Sequence, residues 1–291
     1  MSHHTSMRVG GPADLYVRPR DLRSLETVFR ISKGAGLPVT VIGLGTNLLV
    51  RDGGIRGVVV STVHLTELTV EETTLRAGAG LSLPRLSKVA AQLGLSGLEF
   101  AAGIPGTVGG GVVMNAGAHG GCLGDVLVWA ELRAPGGDTY QTGAAELGLE
   151  YRQSRLLKTR EVVVGACFQL EPGRPEEVER ERQRLLALRK RTQPLGLPSA
   201  GSYFRNPAEG PAGWFIERAG CRGMARGGAQ VSPLHANFIV NRGGATAGDI
   251  LALAEDVRQR VADRFGVWLE PEVEVLGEDD TACTPTAGSR G

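Results

Sequence analysis

The chain has 291 residues, 42% of them hydrophobic, enough for two or three folding units, each with its own core. Its 32 basic and 31 acidic side chains nearly cancel, so no whole-chain field attracts nucleic acid or an anionic membrane, and any charged site is a local cluster.

Taken in chain order, Asp21 can cap a helix whose Leu22, Leu25, Val28 and Phe29 share one face, with Gly34 and Gly36 ending it before the strand-like VTVI at 39–42. A strand is expected at 55–60. A second helix starts at Ser82 with Pro84 in its first turn, carries Leu86, Val89, Ala90 and Leu93, and stops at Gly94. Strands follow at 126–134 and 162–169. The proline-led, charge-rich 175–193 reads as a solvated helix joining two bodies, and the domain boundary falls there. Beyond it, Ile250, Leu253, Val257 and Val261 recur at helical spacing behind a Thr246-to-Asp249 capping pattern. Alternation in VWLEPEVEVL puts Glu270, Glu272 and Glu274 on one strand face. From Glu278 the tail is small, polar and aperiodic, and disorder is expected.

Four cysteines, Cys122, Cys167, Cys221 and Cys283, lie without close pairs, which fits neither a zinc set nor a disulfide framework and points to a reducing cytoplasm. The start, MSHHTSMRVGG, has no apolar core of signal-peptide length, and no segment offers the about eighteen unbroken apolar residues of a membrane span. The expectation is a soluble cytoplasmic monomer with no metal, nucleic acid or membrane partner.

The 43 glycines gather in runs at 43–57, 103–124, 201–228 and 243–248, between apolar β-branched stretches. Ordered, backbone-lined loops are the reading, because glycine permits φ > 0 and close approach to a ligand. VTVIGLGTNLLVRDGG sets Gly43 and Gly45 after a strand with Thr46 and Asn47 beside them, and exposed N–H groups there could cradle a phosphate. A dinucleotide fingerprint would run into a helix, whereas this loop runs into Leu48, Leu49 and Val50. The backbone from Gly106 to Gly111 could lie against a pyrophosphate or an aromatic ring system; tight turns between strands are the equally weighted alternative. Two such loops favour a large phosphorylated ligand.

The motifs HTSMRVGGPAD, GLGTNLLVRDGG, GLEFAAGIPGTVGGGVVMNAGA, YRQSRL, PSAGSYFRNP, AGWFIERAGCRG, GGAQVSPLHANFIVN and LEPEVEVLG, in this order over residues 4–277, resemble those of the UDP-N-acetylenolpyruvoylglucosamine reductase family, the MurB flavoenzymes of peptidoglycan synthesis. The form resembled is the shorter one, without a tyrosine-bearing insertion. The resemblance implies an α+β protein: a two-subdomain FAD-binding region of the vanillyl-alcohol oxidase type over 1–62 and 63–174, then a linking helix and smaller substrate domain over 175–277, with 278–291 a tail. It implies bound FAD, NADPH as co-substrate, and UDP-GlcNAc-enolpyruvate reduced to UDP-N-acetylmuramate.

On the same resemblance Ser202 is the proton donor, Arg152 engages the substrate carboxylate, and Glu272 polarises it as a hydrogen-bonding acid. A serine hydroxyl is a poor acid, so that role needs a strongly basic carbanion within hydrogen-bond reach. A guanidinium binds two carboxylate oxygens at once and stays charged. Cofactor contacts are expected from Gly43, Gly45, Thr46, Asn47 and Leu48 in the first loop. In the second they are expected from Gly103, Gly106, Thr107, Gly109, Gly110, Asn115 and Gly117. Tyr151, Arg205, Asn206, Gln230, His235 and Asn237 are expected to line the substrate pocket, and Arg222 and Arg226 to offset substrate charge.

Two positions depart from the family's pattern: His4 replaces an asparagine, and Arg205 replaces a lysine, keeping the charge but not the geometry. Few residues precede the first motif, as if a lead-in were lost or the start placed late. A flavin oxidase of the wider fold group would keep the glycine loops without the serine-arginine-glutamate set, and a noncatalytic nucleotide-sugar or FAD-binding protein is the reading from another class.

Overall fold

A computed structural model of the chain describes residues 1–134 and 137–280. They form two compact units that do not follow sequence order: one comprises Tyr16–Gly45 and Val58–Gln193, the other Met1–Leu15, Thr46–Gly57 and the chain from Pro194. Helix and strand are mixed in each, an α+β architecture.

In the first unit, α1 (Leu22–Gly34) begins where the Asp21 carboxylate accepts the Ser24 N–H at 2.7 Å, satisfying one of the donors a helix start leaves open. Leu25 is buried, with Val28 and Phe29 packed beside it; Leu22, expected on that face, is 38% exposed. Strand Val39–Ile42 follows and pairs in parallel with Ile55–Ser61, Val39 opposite Val58. Helix α2 (Leu83–Gln92) starts at Ser82 with Pro84 in its first turn, and buries Leu83, Leu86 and Ala90 while Leu93 points to solvent. A short α3 (Val108–Val113) and the single turn α4 (Leu156–Thr159) precede the long α5 (Pro175–Thr192).

The main sheet of this unit is antiparallel throughout, in the order Thr139–Gly143, Leu127–Arg133, Val162–Gln169, Thr74–Gly78, Leu68–Glu71. Val162–Gln169 reads as a nearly unbroken apolar run because both its faces are covered. Val163, Ala166 and Phe168 enter the core around α2 and α3, and Val164 enters the core around α1. The change of parity between Val163 and Ala166 falls at a register shift, where Glu131 and Leu132 pair with Gly165 and Val163, so Val164 is the extra residue of a bulge.

Helix α5 is not the solvated linker expected from its charge. Val178, Arg182 and Leu185 are buried, and the helix packs on α2 and on the turn Glu99–Gly103, which places it in the first unit rather than with the chain from Pro194. Exposed pairs such as Glu181–Arg184 cover its outer face.

The second unit is built on a core of Met7, Val9, Leu49, Tyr203, Phe204, Phe215, Ile250 and Val257 with their neighbours. Here α6 (Ala212–Arg218) and α7 (Ala247–Phe265) pack with an antiparallel sheet of Ala225–Arg226, Ala229–Val231 and Ile239–Asn241. The expected capping box opens α7, Thr246 and Asp249 each bonding the other's backbone N–H at 3.0 Å, and Ile250, Leu253, Val257 and Val261 are its buried stripe. The expected strand of 267–276 is regular only over Glu274–Leu276, which pairs in parallel with Leu48–Val50.

The tail expected to be loose from Glu278 is tied down at its start. The Glu278 N–H donates to Gly54 at 2.9 Å, and Arg51 bonds Asp279. The remainder of that expectation, at 281–291, lies outside the described residues, as does Cys283. Among those described, Cys167 and Cys221 are buried and Cys122 half-buried, all free, and no group of three or more histidines, cysteines and carboxylates could hold a metal. No helix described is long and apolar enough to cross a membrane.

Candidate active site

In the first unit the two glycine loops meet. A Cβ on Gly43 would stand 2.5 Å from the Thr107 hydroxyl oxygen, so the approach is possible only for glycine. Thr107 caps α3, accepting the Gly110 N–H at 3.4 Å. The N–H groups of Val108, Gly109 and Gly111 are spent on the carbonyls of Leu81, Ala79 and Thr107, so Gly106–Gly111 is a packed turn and not an open row of donors. Gly109 is there for packing: its Cβ would lie 2.9 Å from that of Ala79. Gly110 is the open position, with nothing closer than 3.7 Å.

Gly103 faces a residue that sequence reading did not single out. A Cβ there would stand 2.6 Å from Cδ of Arg189, on α5. The Arg189 Nε is buried without a hydrogen-bond partner, and burial pushes the guanidinium below its usual range. A buried N–H donor left without an acceptor is costly. Its surroundings therefore fit a cofactor rich in phosphate and carbonyl oxygens, such as FAD. The sequence held no signal for it, because Arg189 sits in a run of surface-like charges.

Asn115 and Gly117, also expected at the cofactor, act on the Arg152 segment. The buried Asn115 amide donates to the Glu150 carbonyl at 3.0 Å and accepts the Gly124 N–H at 2.8 Å. Arg152 Nη2 donates to the Gly117 carbonyl at 2.8 Å, and the guanidinium lies 5.1 Å from the ring centre of the exposed Tyr151. Arg152 itself has φ 55°, a region that non-glycine residues rarely adopt and that concentrates at functional sites.

In the second unit Ser202 and Glu272 come together through their neighbours. The Glu272 N–H donates to the Tyr203 carbonyl at 2.8 Å, and the Arg205 N–H to that of Glu270 at 2.9 Å. Glu272 is half-buried while Glu270 and Glu274 are exposed, which separates it from the two glutamates that sequence alternation made its equals. Ser202 is half-buried, ahead of a fully packed Tyr203–Phe204 pair with ring centres 5.0 Å apart. Burial pushes the Tyr203 phenol up to about 12, so it stays protonated and serves as the loop's anchor.

Other expected pocket residues divide. The Arg205 Nε is buried without a partner, as a site for an anionic ligand requires. The Asn206 side chain accepts the Ala212 N–H at 3.0 Å at the start of α6, and Gln230 donates to the Gly223 carbonyl at 3.1 Å. His235 stacks edge-on against Phe238, and burial, with Arg222 nearby, lowers its pKa; it is a neutral packing histidine. Asn237 is 3% exposed and spends its amide on both backbone groups of Phe204. Asn47 donates to the Glu272 carbonyl at 3.0 Å, between Thr46, whose carbonyl accepts from Ser6, and Leu48, which opens the strand paired with Glu274–Leu276. Arg222 and Arg226 are taken up by surface ion pairs with Glu217 and Asp256.

A glycine-loop unit suited to FAD, joined in one chain to a unit carrying acid-base side chains, is the make-up of a flavin-dependent oxidoreductase. Residues 13–143 match an FAD-binding domain, and residues 193–276 match the C-terminal domain of UDP-N-acetylenolpyruvoylglucosamine reductase. The chain is 49% identical over 286 residues to the reductase of that name from Nostoc punctiforme, covering 97% of this chain and 86% of that one. It is 46% identical to that of Heliobacterium modesticaldum, covering 96% and 89%. The crystal structure of the Thermus caldophilus reductase superposes with a TM-score of 0.81 at 37% identity, over 95% of this chain and 97% of that one. The chain belongs to the UDP-N-acetylenolpyruvoylglucosamine reductase family, the enzymes that act in peptidoglycan synthesis, and carries the family's FAD-binding domain.

Proposed function

We propose that this enzyme reduces the enolpyruvyl ether of UDP-N-acetylglucosamine enolpyruvate to the lactyl ether of UDP-N-acetylmuramate, with NADPH as the reductant and Ser202 as the proton donor. FAD, when bound, supplies the hydride from N5 to the enolpyruvyl methylene carbon. Gly43, Gly45, Gly103, Thr107, Gly110 and Arg189 would hold it.

Everything else falls to the chain's own side chains. Arg152 binds the substrate carboxylate as a planar fork, and Glu272, as an acid, hydrogen-bonds it, so that charge developing on the adjoining carbon is drawn into the carboxylate. The Ser202 hydroxyl gives its proton to that carbon. The resulting enolate is basic enough to take a proton from an alcohol, provided the donor is fixed in place. Arg205 meets the diphosphate, and Tyr151, Asn206 and Gln230 line the sugar. The pairing of Glu272 with Tyr203, which sets the acid beside the Ser202 segment, is the observation that carries this reading. A cytoplasmic monomer acting on a nucleotide-linked precursor is consistent with it.

The test follows flavin absorbance anaerobically with one equivalent of NADPH, then UDP-N-acetylglucosamine enolpyruvate. Bleaching and then recovery is the expected result; bleaching without recovery would point to a flavin oxidase and sink the proposal. Repeating the first step with NADH decides the nucleotide.

A further inference from the structure

Three asparagines expected to touch ligands instead spend their amides on protein backbone, and each does so beside a different member of the proposed catalytic set. Asn237 accepts the Phe204 N–H at 3.0 Å and donates to the Phe204 carbonyl at 2.8 Å, while its own carbonyl accepts from Tyr203 at 2.7 Å. It thus grips the two residues that follow Ser202. Asn115 grips Glu150, two residues before Arg152, and Asn47 grips Glu272 itself.

We propose that Asn237, Asn115 and Asn47 are positioning residues, each fixing the backbone from which one catalytic side chain is presented. The chemistry favours this. A carboxamide both donates and accepts, so one side chain can satisfy a peptide's N–H and carbonyl together, as a strand would, where no strand is available. Ser202 and Glu272 lie outside regular strands, and Arg152 sits in a left-handed turn. All three need support that secondary structure does not give. The amides also cannot titrate, so the support does not change with pH.

This inference rests on the site reading above, and the experiment separates the two. Ser202→Ala, Asn237→Ala and a control, Asn241→Ala, are compared as FAD-loaded enzymes. Asn241 is likewise buried and bonds backbone, donating to Met7 at 3.0 Å and accepting from Gly243 at 2.8 Å, but grips none of the three catalytic segments. Flavin bleaching by NADPH and recovery with substrate are timed separately, with flavin content and melting temperature as the check on folding.

For Asn237→Ala, recovery is expected to slow about tenfold to a hundredfold, the cost of a misplaced group, with bleaching within about twofold of the parent. Asn241→Ala is expected to lower the melting temperature without changing the ratio of the two rates. Should Asn237→Ala not load with FAD, Asn237→Asp, which keeps the shape and an acceptor for the Phe204 N–H but loses the donor to its carbonyl, is measured in its place. Asn115→Ala is the independent arm, expected to raise the KM for the enolpyruvyl substrate through Arg152. Unchanged recovery in the Asn237 variant, or equal slowing of both steps, overturns the proposal. Undiminished recovery in Ser202→Ala overturns the site reading beneath it.

Discussion

Both oxygens of the Asp52 carboxylate accept N–H groups from the start of α7, from Ala247 at 2.9 Å and from Gly248 at 3.0 Å. A residue of the first glycine-loop motif therefore caps a helix almost two hundred positions later, alongside the helix's own Thr246–Asp249 box. Asp52→Ala leaves two donors open and removes a negative charge from the positive end of the helix. A loss of about 1–2 kcal/mol in unfolding free energy is expected, read from chemical denaturation, with Asp52→Asn recovering part of it.

The contact between Gly43 and Thr107 makes a second prediction. Gly43→Ala pushes a methyl against the Thr107 hydroxyl and parts the two loops. The purified protein is expected to retain less FAD, seen as a lower ratio of flavin to protein absorbance. Thr107→Ala in the same chain should restore part of it, although the loss of the α3 cap holds the recovery short of complete.

His235 sets a pH dependence. Its folded pKa lies below 6.5 because burial, reinforced by Arg222, disfavours the imidazolium. The unfolded chain takes up the proton more readily, so the stability that goes with neutral His235 is complete above about pH 6.5 and is lost as the pH falls below it. His119, lowered by burial with Arg189 and Arg184 nearby, acts in the same direction. The melting temperature should fall from pH 7.5 to 5, and the fall should be shallower in His235→Asn.

Arg205, with its buried and unpaired Nε, is expected to matter for substrate and not for flavin. Arg205→Ala should raise the KM for the UDP-substrate about tenfold or more while flavin content holds. Arg205→Lys keeps the charge but not the fork, and an intermediate KM is expected. Loss of flavin in either variant would place this side chain at the cofactor instead.

Periodicity beside a cap or an early proline located α1, α2 and α7, and a proline-led run of charges located α5, whereas the short α3, α4 and α6 had no such signal. Periodicity missed what depends on partners distant in sequence. The burial of α5 comes from α2 and the Glu99–Gly103 turn, and Arg189 becomes remarkable only once Gly103 is seen beside it. Among the glutamates, alternation treated Glu270, Glu272 and Glu274 alike; the half-burial of the middle one, against the exposure of the other two, distinguishes it. Motif resemblance put Asn47 and Asn115 at the cofactor and Asn237 in the substrate pocket, whereas their side-chain amides bond backbone. A conserved-looking amide beside a ligand loop reads the same whether it faces ligand or backbone.

The second unit draws on chain segments at both ends and from the first glycine loop, with Leu48–Val50 serving as the only strand partner of Glu274–Leu276 among the described residues. During synthesis this unit cannot close until Leu276 has left the ribosome. Its early segments must wait, exposed or loosely collapsed, while Val58–Gln193 is made and can fold around its local hairpins. The Leu48–Val50 strand thus finds its parallel partner only across more than two hundred residues of chain, a non-local pairing whose edge stays open until Leu276 has been made.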